Sequence, residues 1–90
     1  MDKYKKNEMV FKAFCDESRL KILDILKNGE LCSVDILKIL NIKQSTLSHH
    51  IKVLCESGVL SGRREGKWIY YYINKEGLDK AIDLIKELYE

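Results

Sequence analysis

The 90-residue chain contains no proline, only five glycines and one tryptophan. With no proline and only scattered glycine, nothing marks a linker, a low-complexity tract or an internal repeat. No apolar run approaches the ~20 residues a membrane span needs, and no signal-peptide pattern opens the chain. The expectation is a cytoplasmic protein with no membrane partner. Three cysteines are an odd number, which excludes a complete intrachain disulfide framework. In a reducing compartment they are expected to be free thiols, metal ligands or redox sensors. There is also no His–Cys or His–carboxylate cluster with catalytic spacing, and so short a chain offers no obvious substrate cleft. An enzyme is not expected.

Charge of one sign is scarce as well, with a net value of +2, but its distribution is uneven. Residues 1–42 carry eight basic and seven acidic groups, for +1. Residues 43–72 carry five basic (Lys43, Lys52, Arg63, Arg64, Lys67) and two acidic groups, for +3. Residues 73–90 carry three basic and five acidic groups, for −2. The middle third is therefore where a polyanion would bind. Apolar residues make up 46% and charged residues 33%, the balance of a globular chain and too apolar for a disordered one. Ninety residues make one domain near the lower size limit for a comfortable core, so a dimer sharing core between subunits is expected.

The hydrophobic pattern predicts helices first. A first helix from about Tyr4 to Phe14 carries Met9 or Val10, Phe11 and Phe14 at helical spacing. Asp16 is placed to cap a second, carrying Leu20, Leu23 and Leu26 with Ile22 and Ile25, and Asn28-Gly29 ends it. Ser33 is the next cap candidate, opening a short helix through Leu40. After the turn Asn41-Ile-Lys-Gln, a helix runs from about Gln44 to Ser57, so the pair reads as a helix-turn-helix. Then the period changes. Val59–Arg64 and Lys67–Ile73 read as strands joined at Glu65-Gly66. A last amphipathic helix carries Leu78, Ala81 or Ile82, Ile85, and Leu88 or Tyr89. The fold class expected is mainly α with one β-hairpin, a winged helix-turn-helix.

The helix from Gln44 has two faces. Leu47, Ile51 and Leu54 fall at i, i+4 and i+7 and can dock on a core. Ser45, Ser48, His49 and Lys52 fall on nearly the opposite side. Their hydroxyls, imidazole and ammonium are groups that bond base edges and phosphates. Gln44 and Thr46 join them at the helix start. At the hairpin tip, Arg63, Arg64 and Lys67 can reach flanking phosphates, although they could instead be edge charges that discourage strand aggregation. His50 sits beside the apolar stripe and reads as a partly buried structural residue. The polar stripe taken alone could be a solvated helix face; the ordered set of helix, turn, polar-faced helix and basic hairpin favours double-stranded DNA.

Four motifs in order carry a family resemblance. They are Ala13-Phe-Cys-Asp-Glu-Ser-Arg-Leu20, Gly29-Glu-Leu-Cys32, Gln44-Ser-Thr-Leu-Ser-His-His-Ile-Lys-Val-Leu54, and Gly62-Arg-Arg-Glu-Gly-Lys-Trp68 with Tyr70-Tyr-Tyr-Ile-Asn74. Over roughly residues 10–74 the chain resembles the ArsR/SmtB repressors, the arsenical-resistance branch most. The resemblance implies a homodimer, joined through its first and last helices, that represses an operator and releases it when an inducer binds. It also implies arsenite or a soft metal ion as inducer, held by cysteine thiolates, with no cofactor needed for DNA binding.

The arsenical motif usually reads Glu-Leu-Cys-x-Cys-Asp. Here Cys32 is present and Val34 stands where the second cysteine would be. Cys55 and Cys15 are the remaining candidates, with Cys15 expected as a small core residue and Cys55 at the edge of the apolar stripe. Zinc-sensing relatives use Asp and His on the last helix, and residues 75–90 hold no histidine. Three versions of the inducer step stay open: a soft-ligand site built on Cys32, a thiol switch at Cys32 or Cys55 without metal, or a regulator that senses something else. A winged-helix module that binds protein instead of DNA is the alternative of a different class.

Overall fold

A computed structural model describes residues 2–90. The elements are α1 (Lys3–Lys12), α2 (Glu17–Leu26), β1 (Leu31–Cys32), α3 (Ser33–Leu40), α4 (Gln44–Glu56), β2 (Leu60–Glu65), β3 (Trp68–Ile73) and α5 (Lys75–Lys86). This is the winged helix-turn-helix the pattern predicts, with one addition: β1 joins the hairpin to give an antiparallel sheet of order β1-β3-β2. Two residues are too few to display a period, so β1 left no trace in the sequence. Leu31 pairs with Tyr71 and Cys32 with Tyr70.

The core forms where α2, α3 and α4 meet the base of the sheet. Ile22, Ile36, Leu54 and Val59 are fully buried there, and Leu47 and Ile51 complete the apolar side of α4. Asp16 caps α2 as expected, its carboxylate accepting from the amides of Ser18 and Arg19 at 2.7 and 3.2 Å. Leu20 does not belong to the core; it is half exposed. The buried stripe of α2 runs through Ile22 and Leu26, four residues apart, and Leu20 falls to the other side.

Several boundaries shift by one or two residues: α1 ends at Lys12 and not Phe14, α4 at Glu56 and not Ser57, and both hairpin strands begin one residue later than the pattern predicts. Cys32, not Ser33, is the N-cap of α3, without a side-chain capping bond. Its pairing with Tyr70 holds it extended, so the helix begins only at Ser33. In the hairpin Glu65 still pairs with Trp68, which leaves Gly66 and Lys67 as the loop. Gly66 adopts the positive φ, +63°, that a tight two-residue loop demands at its first position.

The end of α4 is locked to the start of α5. The hydroxyl of Ser57 donates to the carbonyl of Leu54 at 2.6 Å and accepts from the amide of Val59 at 3.2 Å. The amide of Asn74 donates to the carbonyl of Val59 at 2.8 Å, and its side chain caps α5 by accepting from the amide of Gly77 at 3.0 Å. Gly77 therefore lies directly against this turn. A Cβ added there would stand 1.8 Å from the carbonyl oxygen of Gly58.

The apolar sides of the terminal helices stay open. No residue of α1 is buried. On α5 only Ala81 is, while Ile82, Ile85 and, beyond the helix, Tyr89 are exposed.

Candidate nucleic-acid interface

Helix α4 presents its two faces as the spacing predicts. Leu47, Ile51 and Leu54 are buried, and Gln44, Ser45, Thr46, Ser48, His49 and Lys52 are all exposed. Gln44, Ser45 and Thr46 form the first turn. The N-cap, Lys43, makes no side-chain capping bond, so first-turn amides stay available to an anion and the helix dipole favours one there. Gln44, Ser48 and Lys52 also line a cleft of about 340 Å³ whose far wall is Ile69 and Tyr71 of β3. Helix α4 and strand β3 thus border a common concave surface.

The three wing cations are not equivalent. Alternation along β2 puts Arg63 and Glu65 on the same face, opposite Tyr70 of β3. Arg63 Nη1 donates to Glu65 at 2.7 Å, and Nε donates to the carboxylate of Glu30 at 3.0 and 3.2 Å. A further bond runs from its Nη2 to Glu30, and the guanidinium lies 4.8 Å from the centroid of the Tyr70 ring. These bonds to Glu30 and Glu65 push the Arg63 pKa up, and the bond from Arg63 holds the Glu30 carboxyl below its usual value. Arg63 thus fastens the wing to the loop before β1. Arg64 and Lys67 are exposed and, among the described residues, in no ion pair. Lys67 Nζ lies 5.2 Å from the centroid of the Trp68 ring. The three cations look alike in the sequence because nothing local marks Glu30, 33 residues from Arg63, as a partner.

His50 is buried as expected, at 8% exposure. Its partners, Arg19 and Asp16, were not foreseen. Arg19 Nη1 lies 3.1 Å from His50 Nδ1, and Asp16 Oδ1 lies 3.8 Å from Nε2.

The cysteines do not form a cluster. Cys15 is exposed, not a core residue; Ala13, fully buried, takes that place at the joint between α1 and α2. Cys32 is half-buried, and its thiol donates to Asp35 Oδ2 at 3.3 Å. Cys55 is exposed as a residue, yet partial burial of its thiol pushes the pKa up, which lowers its thiolate fraction and its reactivity. Among the described residues no group of three or more His, Cys, Asp or Glu side chains could hold a metal ion. A trivalent arsenical or soft ion wants two or three thiolates, so one protomer does not by itself fit such a ligand. No helix among the described residues is long and apolar enough to cross a membrane.

Residues 16–61 match the bacterial regulatory protein family arsR. An uncharacterized HTH-type transcriptional regulator of Methanocaldococcus jannaschii is 42% identical over 89 residues, covering 98% of this chain and all of that protein. The arsenical resistance operon repressor of Staphylococcus aureus is 40% identical over 79 residues, 88% of this chain and 76% of its own length. Among solved structures, a homodimeric winged helix-turn-helix DNA-binding domain from Mycobacterium bovis superposes with a TM-score of 0.77 at 29% identity, covering 94% of this chain and 79% of that one. These relatives are regulators, not enzymes. The order of elements, the two-faced α4 and the basic wing agree with the match, and the chain belongs to the ArsR family of winged helix-turn-helix transcriptional regulators.

Proposed function

We propose that this chain acts in the cytoplasm as a homodimeric repressor that binds operator DNA through α4 and the β2–β3 wing. The observation that carries the reading is the exposed stripe Ser45, Ser48, His49 and Lys52 on a helix whose opposite face is buried, beside the exposed wing cations Arg64 and Lys67. Two such helices, related by a dimer twofold, enter successive major grooves about 34 Å apart. The dimer forms through α1 and α5. The open apolar stripe Ile82, Ile85 and Tyr89 supports that surface, and the homodimeric structure from Mycobacterium bovis supports the dimer itself.

Titration of the reduced protein onto duplex DNA from its own upstream region, over a salt series, tests this directly. Binding weakens steeply with salt because phosphate contacts release counterions. Lys52→Ala or Arg64→Ala is expected to flatten the log–log slope by about 0.9 for each phosphate no longer neutralised. Arg63→Ala leaves the slope nearly unchanged, because Glu30 and Glu65 already hold that guanidinium. An equal change for all three would return Arg63 to the DNA-contacting set. Binding that ignores salt would favour a protein-binding module over a repressor.

The proposal for the inducer is arsenite or a soft metal ion, the class to which the name of the Staphylococcus aureus relative points. Cys32 is its anchor, with the ligand set completed between protomers. DNA binding itself needs no cofactor. Arsenite is expected to release DNA from the wild-type protein and to leave the Cys32→Ser complex bound. Release that survives the substitution removes Cys32 from the mechanism. No release from wild type moves the search to oxidants or to ligands that do not use thiols.

A further inference from the structure

One side chain, Arg19, joins three helices. Arg19, in the first turn of α2, donates from Nε to the carbonyl oxygen of Lys12 at 2.9 Å. Lys12 is the last residue of α1. The Nη1 of Arg19 lies 3.1 Å from Nδ1 of His50, in the middle of α4. A guanidinium has five donors and no acceptor, so Nδ1 must accept, and neutral His50 carries its proton on Nε2. That nitrogen faces Asp16 Oδ1 at 3.8 Å, the oxygen that also caps α2. The arrangement uses the fork of Arg19 twice, in two directions, and leaves His50 one protonation state that fits.

We propose that Arg19 is the positioning residue of the recognition helix, fastening His50 of α4 to the end of α1 so that the DNA-reading face and the dimerising helix keep one fixed relation. The inference rests on the reading of α4 as the helix that enters DNA. Arg19 touches neither base nor phosphate in this scheme; it acts through His50. Lysine cannot replace it, since a single ammonium on a flexible stem does not hold two acceptors in fixed directions as a planar fork does.

Proton uptake by His50 breaks the link, because Nδ1 becomes a donor facing the donors of Arg19. The titratable and charged groups acting on His50 are Asp16, the N-cap of α2, Arg19 of α2 and His49 of its own helix. Burial, and then Arg19 and His49, hold its pKa below the ordinary histidine value against the pull of Asp16. The unfolded chain therefore takes up the proton first. Stability is fully present above pH ~6.5 and is lost as pH falls from there toward the depressed folded value. The Arg19 link itself breaks only when the folded state is protonated, at the lower end of that window.

The test compares wild type, Arg19→Lys, His50→Gln and the double variant, all as the full chain. DNA binding is read by anisotropy, and amide hydrogen exchange is read on the free proteins. Each single change is expected to weaken DNA binding about tenfold, and the double to be no weaker than the worse single, as for two partners of one contact. Exchange rises in α4 and at the end of α1 in Arg19→Lys and stays unchanged in the β2–β3 wing. Wild-type affinity acquires an acid-side loss that His50→Gln does not have. A lowered melting temperature with unchanged DNA affinity in Arg19→Lys overturns the proposal, as do multiplicative losses in the double variant. If wild type bound no duplex, the repressor reading would fall, and exchange would still decide the link: unchanged α4 protection in Arg19→Lys would refute it.

Discussion

Gly77→Ala is expected to lower the free energy of unfolding by about 2–3 kcal/mol, the cost typical of a side chain forced into occupied space. Helix propensity alone predicts the reverse sign. Gly77 lies in the first turn of α5, where alanine is favoured over glycine by at most the roughly 0.8–1.0 kcal/mol of a helix interior. Sterics win because the new methyl would stand 1.8 Å from the carbonyl oxygen of Gly58, a backbone atom that no rotamer change can move. Either α5 or the turn after α4 must give. That turn is held by Ser57 and by the amide bond from Asn74 to Val59, so relief in one place costs hydrogen bonds in another. Urea denaturation of wild type and variant, followed by helical circular dichroism, measures the difference. A variant as stable as wild type would mean that α5 is free to slide along α4. A gain in stability would mean that the two elements do not touch in solution.

His49→Ala is expected to weaken binding to the operator by about 1–3 kcal/mol, the discrimination a good base contact supplies, while leaving unfolding nearly unchanged. The asymmetry follows from position. His49 is exposed, whereas its neighbour His50 is buried among Arg19 and Asp16. Consecutive residues on a helix point about 100° apart, so adjacent imidazoles do different work. Titrations against operator and against random duplex separate the outcomes. A loss confined to the operator assigns His49 to base reading. An equal loss on both would assign it to the phosphate backbone, and no loss would remove it from the interface.

The helices, their order and the polarity of α4 were legible because each rests on a period that about ten residues suffice to display. Leu47, Ile51 and Leu54 went inward and Ser45, Ser48, His49 and Lys52 outward on spacing alone. What escaped was short or distant. β1 is two residues long, and it exists because Tyr71 and Tyr70 of β3 offer Leu31 and Cys32 an edge to pair with. The Glu30–Arg63 bond and the Arg19–His50 bond join residues 33 and 31 positions apart, with no local signal at either end. Cys15 was misplaced for a related reason. An apolar neighbourhood in sequence does not say which residue of a tight joint turns inward, and there Ala13 did. The family resemblance anticipated the overall architecture, while Val34 marked where its soft-ligand motif is incomplete.

The single tryptophan of the chain stands at the tip of the wing, 42% exposed, with Lys67 against its ring. Its emission therefore originates beside the surface that would face the DNA backbone. Drawing Lys67 toward a phosphate would remove a cation from the indole and change the solvent around it. The unmodified protein thus carries its own optical probe of wing engagement, one that can be followed in rapid mixing to time the wing's arrival against that of α4.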